Sequence, residues 1–376
     1  VTAAADETGD AARANFRFQA EWCARNGSPF TALVCATLGD RLTRDSAFGG
    51  RLLDWPGPAV ADALALRACG ALNMLAREGH PALAPVYPPS PLPTAEVFWA
   101  AAQAAIAADD ARLTRLLDSA PQTNEVARSA ALLPGYLAIA RRAGLPLAIR
   151  EIGASAGLNL LFDRYSYDYG RFGWGDPAAR PRIACQWRGL GPALAPAIAI
   201  RDRKACDLNP VDARDPESRA RMLAYIWPDQ TARLARAEAA LDVVAASGLQ
   251  VEAIDAAPFA TRELAAPPEG AALVLAHSVF WQYLPDATRA AIREAIDAAA
   301  GRATRERPFA WLRMEAEAEE RRGARLRLSL WPDGPVDGLL GVVDFHGQWV
   351  EWGEVGEGGA VNSSEAGSLA SLPARF

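Results

Sequence analysis

The chain has 376 residues, 51% of them hydrophobic and 22% charged, with a formal net charge of −6. That length supports two domains, or one large domain with insertions, around a core of ample size. With no run of about 18 apolar residues, no basic and apolar leader at V-T-A-A-A-D-E-T-G-D, and no basic stripe or tail, the sequence argues against membrane and nucleic-acid partners.

Residues 1–120 read as an α-helical domain, broken by Pro and Gly and without obvious chemistry of its own. Phe16, Ala20 and Cys23 lie near helical spacing in 11–25, and Leu64, Ala68, Ala71, Leu72 and Leu75 share one face in 59–78. After the connector P-V-Y-P-P-S-P-L-P (85–93), Thr94 is predicted to cap a helix running to about Asp118. From 121 to 353 the pattern changes. A helix is predicted at about 123–143, with Thr123 as its cap and Gly144 and Pro146 as its stop, followed by a strand at 147–152 and a helix beginning near Ala156. Further strands are predicted at 249–255, 271–277 and 308–314, with a helix at 286–300. A final pair, 324–331 and 340–352, is bridged by the turn P-D-G. Buried apolar runs alternating with helices imply an α/β fold on a mostly parallel, Rossmann-like sheet. A β-rich insertion occupies about 165–210, and the Gly-, Ser- and Glu-rich tail 354–376 is expected to be disordered.

Residues 147–160, L-A-I-R-E-I-G-A-S-A-G-L-N-L, are the most informative stretch. A strand ends in an acid, Glu151, and enters a turn holding Gly153, Ser155 and Gly157. Dinucleotide-binding turns need a third glycine five residues after the first, where Leu158 stands. An acid at the strand end would also repel a pyrophosphate, whereas it suits a cationic ligand. Packing at a tight corner is the plainer explanation of the glycines.

In a doubly wound sheet, ligands bind at the carboxyl ends of the strands. That rule selects Glu151, Asp255, His277, Arg313 and Glu315. The end of the second parallel strand is either Asp168 or Asp207, with Asp207-Leu-Asn-Pro in the better strand-to-turn context. His277 is placed to act as general base, with Gln282 or Tyr283 orienting the acceptor; the alternative is a structural histidine with satisfied nitrogens. Asp255 could equally be a helix cap. Gln122, Asn124, Glu125 and Arg128 open the helix before the first strand and could face the pocket, although capping explains much of Q-T-N-E. The same ambiguity attaches to Asp229, Gln230 and Arg233 after Pro228. A pocket with Trp281, Tyr283 and Arg313 would suit a small aromatic or acidic molecule. Five widely spaced cysteines without a C-x-x-C pair give neither a disulfide framework nor a zinc site, and are expected of a reduced, cytoplasmic protein. Three scattered histidines make no metal centre, and no hydrolase elbow, P-loop or kinase signature is present.

The spacing E-x-G-x-x-x-G resembles the first motif of class I S-adenosylmethionine (SAM)-dependent methyltransferases, with Ser155 replacing the usual middle glycine. That resemblance implies a sheet closed by an antiparallel pair, with SAM as cofactor. Its aminoacyl end would lie on Glu151, Gly153, Ser155 and Gly157, its ribose on Asp207 or Asp168, and its adenine near Asp255. It implies methyl transfer to a small-molecule acceptor; a non-catalytic SAM or nucleotide sensor and a nicotinamide enzyme are the alternatives. Separately, the stretches beginning Q-T-N-E-V-A-R, E-I-G-A-S-A-G-L-N-L, C-D-L-N-P-V-D, Y-I-W-P-D-Q-T-A-R and H-S-V-F-W-Q-Y-L-P resemble a bacterial family, domain of unknown function 2332, over about residues 14–352. This second resemblance carries no substrate or activity. Oligomeric state is not given by the sequence.

Overall fold

The computed structural model describes residues 2–122, 124–189, 191, 197–317 and 322–353. Their chain forms two compact units, one from residues 1–123 with 214–238, the other from 124–213 with 239–376. The expected tail at 354–376 and the expected cap Thr123 lie outside the described residues.

Along the chain, the helices α1 (Thr2–Arg25), α2 (Pro29–Arg41), α3 (Ala47–Leu53), α4 (Leu64–Arg77) and α5 (Ala95–Leu116) come first. Then follow α6 (Arg128–Ala143), β1 (Leu147–Ile152), β2 (Ser166–Asp168), β3 (Gly173–Trp174), β4 (Arg182–Ala184), β5 (Gln186–Gly189) and β6 (Ile200–Asp207). Next are α7 (Pro216–Ala224), α8 (Thr231–Ser247), β7 (Val251–Ala253), α9 (Ala256–Ala265), β8 (Ala272–Ser278) and α10 (Asp286–Arg302). The strands β9 (Phe309–Glu315), β10 (Ala324–Trp331), β11 (Gly338–Val343) and β12 (Trp349–Trp352) complete the described chain.

In the helical unit, α1 to α5 bury one apolar core that includes Phe16, Phe30, Leu38, Phe48, Leu72 and Phe98. Thr94 caps α5 as predicted, its hydroxyl accepting from Val97 N. The segment 214–238 belongs to this unit, although it lies within the stretch expected to form the second domain. Chemistry explains its attachment. Asn73 Nδ2 donates to the Ala224 and Ile226 carbonyls at 2.8 and 3.2 Å. Asp229 accepts from Ser28 Oγ and, at 2.9 Å, from Phe30 N at the start of α2. Arg233 donates to Gln230 at 3.0 Å. The W-P-D-Q stretch is therefore a helix anchor in this unit.

The second unit is α/β, with a large, mostly parallel mixed sheet ordered β5-β12-β11-β10-β9-β8-β1-β6-β7. From β7 through β6, β1 and β8 to β9 every pairing is parallel. All six residues of β1 are buried, as a central strand covered on both faces requires. On one face α9 and α10 close a core with Phe259, Leu264, Ile292 and Ile296 against Leu273 and Leu275.

Three expectations need correction. The helix expected near Ala156 is a 3-10 segment, Leu158–Arg164, whose first five residues are all buried. Gly157 enters the segment in left-handed conformation and Leu161 departs from helical dihedrals at φ −98°, ψ 24°, so no continuous α-helix forms. The strand expected at 340–352 is two, β11 and β12, because Asp344–Gln348 turns the chain around Gly347 at φ +72°. The β-rich insertion divides into a small sheet, β3-β2-β4, the edge strand β5, and β6. Its last strand is the neighbour of β1, so Asp207 and not Asp168 ends the second parallel strand. Among the described residues, no helix is long and apolar enough to cross a membrane.

Candidate functional site

From β1 the chain builds outward through β6 and β7, then returns to place β8 and β9 on the other side. Chain order reverses between β1 and β8. Such a switch point opens a crevice at the strands' carboxyl ends. Glu151, Asp207, Ser278 and Glu315 stand there, near or at the ends of β1, β6, β8 and β9.

The turn after β1 is held open by its neighbours. Ala154 N donates to the Cys206 carbonyl at 3.0 Å, and Ser155 N to Asp207 Oδ2 at 2.9 Å. Gly153, Ser155 and Gly157 all have left-handed backbone, with φ of +68°, +53° and +73°. Ser155 thus holds a left-handed conformation that favours glycine, at a cost of roughly 1 kcal/mol. The 124–128 segment meets the same crevice. Asn124 Nδ2 donates to the Ala154 carbonyl at 2.6 Å, and Arg128 donates to the Ser278 carbonyl at 3.3 Å and the Phe345 carbonyl at 2.8 Å. Glu125 is buried and accepts from Ala127 N at 3.1 Å.

Several buried acceptor atoms here have no hydrogen-bond partner among the described residues: Glu151 Oε2, Ser155 Oγ and Asn124 Oδ1. Most buried polar atoms in folded proteins are paired, so this cluster at a switch point makes the turn the candidate site. Glu151 is pushed up to about 8, chiefly by burial and then by the negative Asp207, while Arg128 opposes the rise. A carboxyl so placed is ready to ionise against a cation.

The far wall is built from β8 and β9. His277 is fully enclosed: Trp311 Nε1 donates to its Nε2 at 3.0 Å, and its Nδ1 lies 2.6 Å from Glu315 Oε1. Because indole only donates, Nε2 is the acceptor and Nδ1 carries the ring proton. Glu315 also accepts from Phe280 N at 3.1 Å and Trp281 N at 3.2 Å. This carboxylate fixes a turn in which Val279 adopts φ +49°, a conformation a β-branched residue rarely takes. The turn lays the Phe280 ring over Gly153, where an added Cβ would come within 2.2 Å of it. Phe280 and Trp311 were not singled out by sequence reasoning; their only signal was the aromatic density around 277–283 and 308–314.

A family model described as an uncharacterized protein conserved in bacteria, domain of unknown function 2332, matches residues 13–352. The chain belongs to this family. Comparison with curated proteins and with solved structures finds no match. Four of the five stretches that resemble the family, around Asn124, Glu151, Asp207 and His277, converge on the crevice of this family member. The fifth, W-P-D-Q, anchors α2 in the helical unit.

Other predicted residues stand elsewhere. Gly157 faces Leu249 and Val251, with an added Cβ 2.8 and 3.3 Å from their side chains, so it serves close packing. Asp168 lies in the small sheet and binds Arg182 at 2.6 Å and Gly170 N at 2.9 Å. Asp255 is the N-cap of α9, accepting from Ala257 N at 2.9 Å. Tyr283 is 72% exposed and Gln282 is exposed, so neither faces the enclosed acceptors. Arg313 stacks over Trp311 at 4.1 Å and pairs with Asp337.

Proposed function

We propose that this protein binds S-adenosylmethionine at the carboxyl ends of β1, β6 and β8 and uses it to methylate a small-molecule acceptor. The observation that carries the reading is Glu151, buried at the switch point with an unpartnered oxygen and flanked by Ser155 and Asn124 acceptors. A cluster of acceptors beside a second carboxylate favours an ammonium and a sulfonium, and disfavours a pyrophosphate. The order β7-β6-β1-β8-β9 supports the same reading, because doubly wound sheets take nucleotide-like ligands at this reversal. Beyond β9, the next strand β10 pairs with it antiparallel.

The cofactor supplies an electrophilic methyl group. The chain's residues bind and align. Glu151 ionises against the ligand's positive charge, and Ser155 Oγ and Asn124 Oδ1 accept its N–H groups. Asp207 fixes the turn through Ser155 N and Asn209 N, each at 2.9 Å. His277, Glu315 and Trp311 hold the Phe280 turn and so position the wall of the site. Alignment alone lowers the barrier of such a displacement substantially.

Enclosure of both His277 nitrogens favours one further reading, a non-catalytic SAM sensor with the same site. Titration calorimetry with SAM, its demethylated product and NAD tests both. SAM is expected to bind at micromolar affinity, to release a proton to buffer at pH 7 as Glu151 ionises, and to bind more tightly as pH rises towards 8. Absence of SAM binding overturns both readings, and NAD binding in its place revives a nicotinamide enzyme. If SAM binds and labelled methyl never reaches a small molecule, the sensor reading stands.

A further inference from the structure

The helical unit contains a cluster of nucleophiles that the crevice does not use. Cys23 on α1, Cys35 on α2 and Cys69 on α4 are all free and buried in its core. The sulfurs of Cys35 and Cys69 stand 3.4 Å apart. A disulfide needs about 2.05 Å, so closing one requires an approach of roughly 1.4 Å, within the reach of small side-chain adjustments. Cys23 also touches Cys35, its side chain hydrogen-bonded to that thiol, and it accepts from Gln19 Nε2 at 3.3 Å, so it is the competing partner that the test must separate.

A second observation points to chemistry at this pair. Tyr87 is buried among the same side chains, packed edge-on against Phe30 with ring centroids 4.7 Å apart, and its hydroxyl has no partner among the described residues. Burial first, and then the nearby Cys69 and Cys35, raise its ionisation well above the ordinary value. An unsatisfied hydroxyl in an apolar core is costly. It becomes useful when a neighbouring sulfur acquires an oxygen that can accept its proton.

We propose that Cys35 and Cys69 are an oxidation site, forming a reversible disulfide between α2 and α4 when the cell is exposed to a hydroperoxide. Cys69 is the thiol that peroxide meets first, since it is 9% exposed while Cys35 and Cys23 are sealed. Its sulfur attacks one peroxide oxygen, the O–O bond breaks, and a sulfenic acid and one water form when hydrogen peroxide is the oxidant. The Cys35 sulfur then attacks that sulfur. An S–S bond forms, the S–O bond breaks, and the hydroxyl leaves with the Cys35 proton as a second water. Two thiols lose two electrons and one peroxide gains them. A dithiol reductant reverses the step by exchange. A disulfide of this kind in a reducing compartment serves sensing or regulation.

The test uses the full chain, treated folded with hydrogen peroxide, alkylated and digested without reductant. Trypsin cleavage after arginine and Lys204 separates the cysteines into peptides 18–25, 26–41, 68–77, 183–188 and 205–214. The expected product joins 26–41 to 68–77 with loss of two hydrogen atoms, and disappears on dithiothreitol treatment. The oxidised chain is also expected to unfold at a higher temperature than the reduced one, and Cys69→Ser to abolish the link. The proposal is overturned if both peptides are recovered unlinked, if they are joined only after denaturation, or if 18–25 is the partner of 26–41. The wild-type digest decides the matter even if Cys69→Ser fails to fold.

Discussion

Replacing Glu151 with glutamine removes a buried titration while preserving shape and neutral hydrogen bonding. In the folded chain this carboxyl is raised from 4.5 to about 8. The unfolded chain therefore releases its proton well before the native chain does. Stability attached to the group is complete below pH 4.5 and drains away as pH rises towards 8, because the native state binds the extra proton throughout that window. Between pH 5 and pH 8 the loss is about 3–4 kcal/mol, out of a limiting value of roughly 5 kcal/mol. Glu151→Gln is expected to lie within about 1 kcal/mol of the wild type near pH 5 and to exceed it by about 4 kcal/mol at pH 8. Urea denaturation followed by tryptophan fluorescence at pH 5, 6, 7 and 8 measures the difference directly. Parallel pH profiles for the two proteins would refute the claim that Glu151 is a buried acid held neutral, and with it the case for a proton-coupled cation site.

Two further substitutions probe the walls of the crevice. Gly153→Ala forces a Cβ to 2.2 Å from the Phe280 ring at a left-handed φ of +68°, and is expected to cost about 2–4 kcal/mol by denaturant unfolding. The same change in a Phe280→Ala background should cost less than half as much; an equal cost would mean that the ring does not occupy that space. Glu315→Gln removes a charged acceptor shared by His277 and the Phe280 and Trp281 amides, and is expected to cost about 2–3 kcal/mol. The Nδ1 proton signal of His277 should shift or vanish in the NMR spectrum, and an unchanged signal would separate Glu315 from the ring.

What was legible in the sequence was local. A short apolar run between Pro146 and Gly153 could only be a buried strand, Gly144 in left-handed conformation closes α6, and Thr94 caps α5. Strand-end position drew Glu151 and His277 together with either Asp168 or Asp207, and the pairing of β6 with β1 decides for Asp207. What escaped depends on partners distant in sequence. His277 shows its neighbours only once Trp311 and Glu315, 34 and 38 residues away, are brought alongside by the parallel pairing of β8 and β9. Nothing local distinguishes Asp255 at a helix cap from Asp255 at a ligand, since a carboxylate at a strand's end suits both. A strand and glycine turn suggest a helix from about Ala156, but the break in dihedrals at Leu161 is set by packing that the local sequence does not show.

The anchoring of Phe30 N and Ser28 by Asp229 also orders the events of synthesis. Asp229 lies 199 residues after Phe30, so at bacterial elongation speeds it leaves the ribosome about 10–40 s after the segment it secures. Throughout that interval the nascent helices α1 to α5 lack the segment bearing Ala224, Ile226 and Asp229, while β1 to β6 are already emerging. The amino-terminal third of this protein is thus made first but waits for a later segment, and a fragment cut after residue 123 would lack the residues that complete it.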